Sequence, residues 1–153
     1  MTTASALTAE SQAVYDHDFP GNGRTIRTVS GQYVDLFDPS PMTIRLTDIA
    51  HALSLINRFG GHMAHPYSVA EHSLGVSNMV LRRTGDYRAA LLGLLHDAPE
   101  AYLGDMVRPL KHQPTMGHYR DVEAQMEALI FRKYAGKLAD DGVPFEDEER
   151  LKI

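Results

Sequence analysis

Residues 91–105 read LLGLLHDAPEAYLGD. Leu91, Leu92, Leu94 and Leu95 form a run apolar enough to be buried, and it ends in His96-Asp97, with Pro99 and Glu100 directly after. Placing an ionised Asp and Glu beside a leucine run costs several kcal/mol per charge unless a partner or a metal compensates. No Lys or Arg lies between residues 89 and 107 to act as that partner. The sequence also has no cysteine. Disulfides and thiolate ligands are therefore excluded, and any metal must sit on His, Asp or Glu. A bound divalent cation is the economical solution.

The spacing of the polar groups supports it. His72 lies three residues after Val69 and four before Val76, which puts it on the apolar stripe of its own helix. His96 follows Leu92 by four residues and also points inward. Glu100 is four residues after His96 and three after Asp97, so one helical face can carry all three groups. Pro99 cannot donate to the carbonyl of Leu95. The resulting distortion lets His96 and Asp97 converge, although neighbours stand about 100° apart on an ideal helix. One inward histidine alone is more often a core residue bonded to a carbonyl than a ligand. Two histidines and an Asp together make a competent donor set, with open positions left for water and substrate. Nitrogen donors favour a transition ion such as Co, Mn, Zn or Fe over Mg.

The remaining sequence predicts one mainly helical domain over residues 24–153, preceded by a loose arm over 1–23 that carries Pro20, Gly21 and Gly23. Ile26, Val29, Tyr33, Val34 and Leu36 flank a Ser-Gly turn and predict a short hairpin. A helix over 48–59 is expected next, capped by Thr47 or Asp48 and ended by Gly60-Gly61. Ser68 with Glu71 has the spacing of a capping box. Asp86 is a cap for a helix over 87–98, residues 104–117 read as a loop, and an amphipathic helix runs from 117 to 135. Acidic FEDEER, residues 145–150, opens a last helix. The fold class is all-α, a helical bundle with a short N-terminal β-hairpin. A net charge of −5 and no basic stripe argue against nucleic acid as a partner. No stretch has the ~20 apolar residues of a membrane span, and the N-terminus has no signal-peptide pattern. A cytoplasmic protein is expected.

SVAEHS, residues 68–73, followed by LLHDAPEAYLGD, residues 94–105, resembles the HD-domain phosphohydrolases. The likeness is narrowest to the bacterial 5′-deoxynucleotidases of that superfamily and the related phage dATP triphosphohydrolases, and it runs from about Gly31 onward. The resemblance implies an HD-domain helical bundle with one metal held by His72, His96, Asp97 and a later Asp. That fourth ligand is expected beyond Ile153, with Asp140 and Asp141 as lesser candidates. Glu100 takes the place of the family's catalytic acid/base; its plainer role would be to hold His96. Arg58 matches the phosphate-binding arginine, which suits guanidinium chemistry. Without the resemblance it would be read as a helix-terminal Arg. Phe59 matches a bulky residue against the sugar, where relatives commonly carry Trp; the smaller ring loosens the expected exclusion of a 2′-hydroxyl. Asp105 matches a residue near the 3′-hydroxyl, though it also suits a turn after Gly104. Lys111 and Arg108 are placed to reach phosphates or to lie on a solvated loop, and His62 and His65 are read as substrate-side or surface residues rather than ligands.

The implied activity is hydrolysis of the 5′-phosphate of (deoxy)nucleoside monophosphates by a metal-activated water. One alternative is a triphosphohydrolase releasing triphosphate from a dNTP, for which Arg108, Lys111, Arg120, His62 and His65 would supply the extra contacts and Mg is an option as the ion. Another is a non-catalytic metal- or nucleotide-binding regulator, against which the presence of Glu100 speaks. The expected partner is a small-molecule nucleotide, with no membrane and no nucleic acid, and the chain is expected to form a homo-oligomer, a dimer or higher.

Overall fold

A computed structural model describes residues 23–136. The arm up to residue 22, Asp140, Asp141 and the acidic FEDEER segment lie outside the described residues.

The described residues open with a two-stranded antiparallel hairpin, β1 (Thr25–Arg27) and β2 (Tyr33–Asp35), with Ile26 opposite Val34. Its turn uses Gly31 at φ 80°, a left-handed conformation that glycine adopts freely. Six helices follow among the described residues: α1 (Leu46–Leu55), α2 (Val69–Thr84), α3 (Tyr87–Leu95), α4 (Glu100–Leu103), α5 (Arg108–Lys111) and α6 (Gly117–Tyr134). Short 3₁₀ turns at Arg58–Gly61 and Pro114–Met116 join them. The fold is helical with a small hairpin, as expected. No helix among the described residues is long and apolar enough to cross a membrane.

The core collects one face of each major element. Val34 of β2, Ile49 and Leu53 of α1, Val69 of α2, Leu95 of α3, Tyr102 of α4, and Met126 and Ile130 of α6 are all buried in a single cluster with Ile44 and Ala98. The four-residue repeat Val122, Met126, Ile130 is the buried stripe of α6. At its end, Tyr134 Oη donates to the Ile44 carbonyl at 3.0 Å, and Lys133 Nζ donates to the carbonyls of Pro41 and Ile44. The segment between hairpin and α1 is thereby fastened to α6.

Two helix ends follow local signals. Ser68 caps α2 with a full capping box, the Glu71 amide donating to Ser68 Oγ at 3.2 Å and the Ser68 amide to Glu71 Oε2 at 2.8 Å. Asp86 caps α3 through Oδ1, which accepts from the Arg88 amide at 2.7 Å.

The α1 boundaries differ from the expectation at both ends. Arg45 occupies the cap position with no side-chain cap, and neither Thr47 nor Asp48 serves there. Asp48 is buried inside the first turn. Its carboxylate accepts from the Ser30 amide at 3.0 Å and the Ser30 hydroxyl at 2.7 Å, pinning the hairpin turn onto α1. The helix stops at Leu55 rather than Phe59, because Ile56 and Asn57 are extended and pair with the chain entering α2. The Val69 amide donates to the Ile56 carbonyl at 2.9 Å and the Arg58 amide to the Tyr67 carbonyl at 3.0 Å. Gly60-Gly61 therefore sits in the Arg58–Gly61 turn and does not terminate α1.

Helix α3 also ends early, at Leu95. The Leu95 carbonyl, denied a donor by Pro99, accepts instead from the Ala98 amide at 3.0 Å, and the Asp97 carbonyl accepts from Glu100 at 3.0 Å. Residues 96–99 form the tight turn that leads into α4.

Candidate metal centre and active site

α2 and α3 pack closely because residue 93 is glycine. A Cβ there would stand 3.2 Å from Val76 Cγ1 and 3.5 Å from Val80 Cγ2. This approach brings His72 of α2 against the residues that follow α3. His72 Nε2 lies 3.3 Å from His96 Nε2 and 3.5 Å from Asp97 Oδ2, and His96 Nε2 lies 3.1 Å from the same oxygen. Two donors bound to one ion in a tetrahedral arrangement, each at about 2.05 Å, stand about 3.3 Å apart. The triangle has that size, and among the described residues these three form the one group able to hold a metal ion. The sequence expectation that His96 and Asp97 converge through the Pro99 distortion matches this geometry.

Neighbouring groups orient the donors. His96 Nδ1 stands 2.8 Å from the Gly93 carbonyl, so it is the donor there and Nε2 is the atom aimed into the triangle. Tyr67 meets the His72 ring edge-on at 6.4 Å between centroids. Burial, followed by the Arg58 guanidinium, pushes the His72 pKa down to about 4, so its lone pair is available at neutral pH. For His96 burial acts against the charged form, but the hydrogen bond and charge of Asp97 outweigh it and raise the pKa. For Asp97 burial acts upward, yet His96, Arg58 and His72 together hold the carboxyl below its usual range.

Arg58 Nη1 donates to Asp97 Oδ2 at 2.9 Å, which places the guanidinium at the edge of the donor triangle. The next residue, Phe59, is half-exposed, and its ring lies 5.2 Å from the Arg58 Cζ. The Phe59 amide donates to Asp105 Oδ2 at 2.8 Å. Glu100 begins α4 and is 7% exposed, and its Oε2 has no hydrogen-bond partner. A buried carboxylate oxygen without a partner is costly, and it is expected where a ligand or ion completes a site. Burial first, then the charges of Asp97 and Asp105, push the Glu100 pKa up to about 9.

The other expected residues are placed as follows. Lys111 lies at the end of α5 with its ammonium 2.8 Å from Glu123 Oε1 and 2.7 Å from Oε2, so α6 holds it in an ion pair. Arg120 Nη1 donates to the carbonyls of Lys111 and Gln113 at 2.7 and 3.0 Å, bracing the α5–α6 connection. His62 and His65 are exposed. Sequence reasoning did not single out Glu123, Glu127 or Tyr119, which α6 brings to the same side. Burial, followed by the Glu123 charge, raises the Glu127 pKa. Tyr119 Oη donates to the Gly104 carbonyl at 3.4 Å. The available signal was a pair of acidic residues, each one position after a buried apolar residue of α6.

An imidazole on α2, a second in the turn after α3, an Asp adjoining the second and a buried Glu one turn on, set in a helical bundle, form a group able to hold a metal ion, the arrangement of an HD-superfamily domain. The family model described as "5′-deoxynucleotidase YfbR-like" matches residues 46–143, and the chain belongs to that family of HD-type hydrolases. An uncharacterised protein of Rhodobacter capsulatus is 40% identical over 112 residues, covering 71% of this chain and 57% of the relative. The uncharacterised protein YfdR of Escherichia coli is 38% identical over 109 residues, with the same two shares of 71% and 57%. The chain thus spans little more than half the length of these curated relatives.

Proposed function

We propose that the protein hydrolyses the phosphate ester of (deoxy)nucleoside 5′-monophosphates with the help of one divalent transition ion. The observation that carries this reading is the grouping itself: a donor triangle sized for an ion, a guanidinium on its edge, and a buried carboxyl with one unpartnered oxygen one turn away. His72, His96 and Asp97 would hold the ion. What such an ion supplies when bound is Lewis acidity toward a phosphoryl oxygen and a more acidic water.

The chain's own residues account for the rest. Arg58 is positioned to neutralise charge on the phosphoryl oxygens as the phosphorus is attacked. Water oxygen bonds to phosphorus, the bond to the 5′-oxygen breaks, and that oxygen takes a proton. Glu100 is the group suited to manage that proton: its carboxyl is protonated at neutral pH in the free protein, and cationic charge in the triangle shifts it back toward ionisation. Phe59 is half-exposed next to Arg58, where a sugar following the phosphate would meet its ring.

The ion pair of Lys111 with Glu123 and the bracing role of Arg120 favour a monophosphate over a triphosphate. Both cations are thus engaged by the protein rather than directed to further phosphates. The test is a product assay on cobalt- or manganese-loaded protein given dNMPs and dNTPs. Inorganic phosphate and nucleoside should appear from the monophosphates. Triphosphate released from dNTPs would transfer the reading to the triphosphohydrolase, and no product from either would leave a binding protein.

A further inference from the structure

We propose that Asp105 is a positioning residue for phosphate binding: by holding the Phe59 amide it fixes the turn from which Arg58 reaches the donor triangle. This rests on the phosphate-binding role of Arg58 proposed above and goes beyond a contact between Asp105 and the sugar.

Phe59 has φ 56° and ψ 31°, and among the described residues no other non-glycine residue has positive φ. A residue with a Cβ pays for this conformation and keeps it only where its surroundings impose it. Three contacts impose it here. The Phe59 amide donates to the Asp105 carboxylate at 2.8 Å, a charge-assisted bond. Its carbonyl accepts from the His62 amide at 3.2 Å. Gly60 continues the left-handed path at φ 61° and faces Val107, two residues beyond Asp105; a Cβ there would stand 3.7 Å from Val107 Cγ1. The turn is thus seated on the segment that carries Asp105.

The consequence passes to Arg58. In this conformation the Phe59 ring lies 5.2 Å from the guanidinium carbon, and Arg58 Nη1 meets Asp97 Oδ2 at 2.9 Å. The Arg58 backbone is held separately, by its amide on the Tyr67 carbonyl at 3.0 Å. Without the Asp105 acceptor, Phe59 is free to return to the right-handed region and take its ring off the guanidinium. The backbone at Arg58 stays in place. The loss should therefore appear in the orientation of Arg58, with little change in thermal stability.

Inorganic phosphate separates this role from a sugar contact, because it has no sugar. Its Kd is measured by calorimetry on the manganese-loaded full chain, with Arg58→Ala as reference. Asp105→Ala should weaken phosphate binding about tenfold, whereas Asp105→Asn, whose amide oxygen still accepts from Phe59, should stay within about threefold. In a Phe59→Gly background the added effect of Asp105→Ala should shrink to within about twofold, since glycine takes this φ without help. Unchanged phosphate affinity in Asp105→Ala, with a raised KM for nucleotide, would confine Asp105 to the sugar and overturn the proposal. If Arg58→Ala itself leaves phosphate binding intact, the role of Arg58 fails first, and this inference with it. Hydrogen exchange at the Phe59 amide of the unmutated protein gives a check that needs no variant: a protected amide is expected, and exchange at the rate of an open loop overturns the latch.

Discussion

Glu100 shows how a single side chain takes its chemical character from its surroundings. The residue is 7% exposed, one oxygen lacks a partner, and Asp97 and Asp105 crowd it with negative charge. Glu100→Gln preserves the shape and removes the titratable proton. Metal content and substrate affinity should persist while kcat falls about a hundredfold to ten-thousandfold; wild-type turnover would remove Glu100 from the proton path. Asp97 is a contrasting case, because the same Oδ2 approaches His72, His96 and Arg58. Asp97→Ala should abolish tight binding of manganese or cobalt, measured by titration of the metal-free protein. At this scale the sequence was informative wherever a side chain's placement depends on near neighbours along the chain. His72 was legible from Val69 and Val76, and Glu100 from His96 and Asp97. Glu123 was not, since its pairing with Lys111 depends on how α6 packs against α5.

Among the elements, α3 illustrates a double use of one glycine. Gly93 admits α2 at van der Waals distance, and its carbonyl orients His96. Gly93→Val should destabilise the fold by about 1–3 kcal/mol in urea denaturation. It should also weaken metal binding, because separating α2 from α3 moves His72 away from His96. Asp86→Ala, at the opposite end of α3, removes only a cap and should cost about 1 kcal/mol with metal affinity unaltered. Equal losses of metal affinity in the two variants would mean that helix stability, and not the α2–α3 distance, sets the site. Caps such as Ser68 and Asp86 could be read from sequence because their partners lie within three residues. The end of α1 could not. Ile56 and Arg58 leave the helix to pair with Val69 and Tyr67, a bargain struck between segments that only the folded chain brings together. Asp48 was misread as a cap for the same reason: its partner, Ser30, lies 18 residues away on the hairpin turn.

For the molecule as a whole, the buried site ties stability to pH, and an ion held there would enter the same linkage. In the metal-free protein Glu100 has its pKa raised from 4.5 to about 9. Its neutral form is favoured by folding, so its contribution is full below the unfolded value and is lost as pH rises through about 9. His72 is the opposite case, lowered from 6.5 to about 4, so its contribution is present above 6.5 and lost as pH falls through about 4. Between pH 6.5 and 9 the His72 contribution is constant while that of Glu100 declines. The Tm of chelator-treated protein should therefore fall across that window, and Glu100→Gln should flatten the fall. A divalent ion in the triangle favours the ionised carboxyl and competes with fewer protons on His96 as pH rises, so it offsets the same decline. The gap in Tm between manganese-loaded and chelator-treated protein should accordingly widen from pH 6.5 to 9. Thermal melts of both forms at the two pH values decide the matter. A constant gap would show that Glu100 is not electrostatically joined to the ion, and that the carboxyl and the three donors work as separate parts.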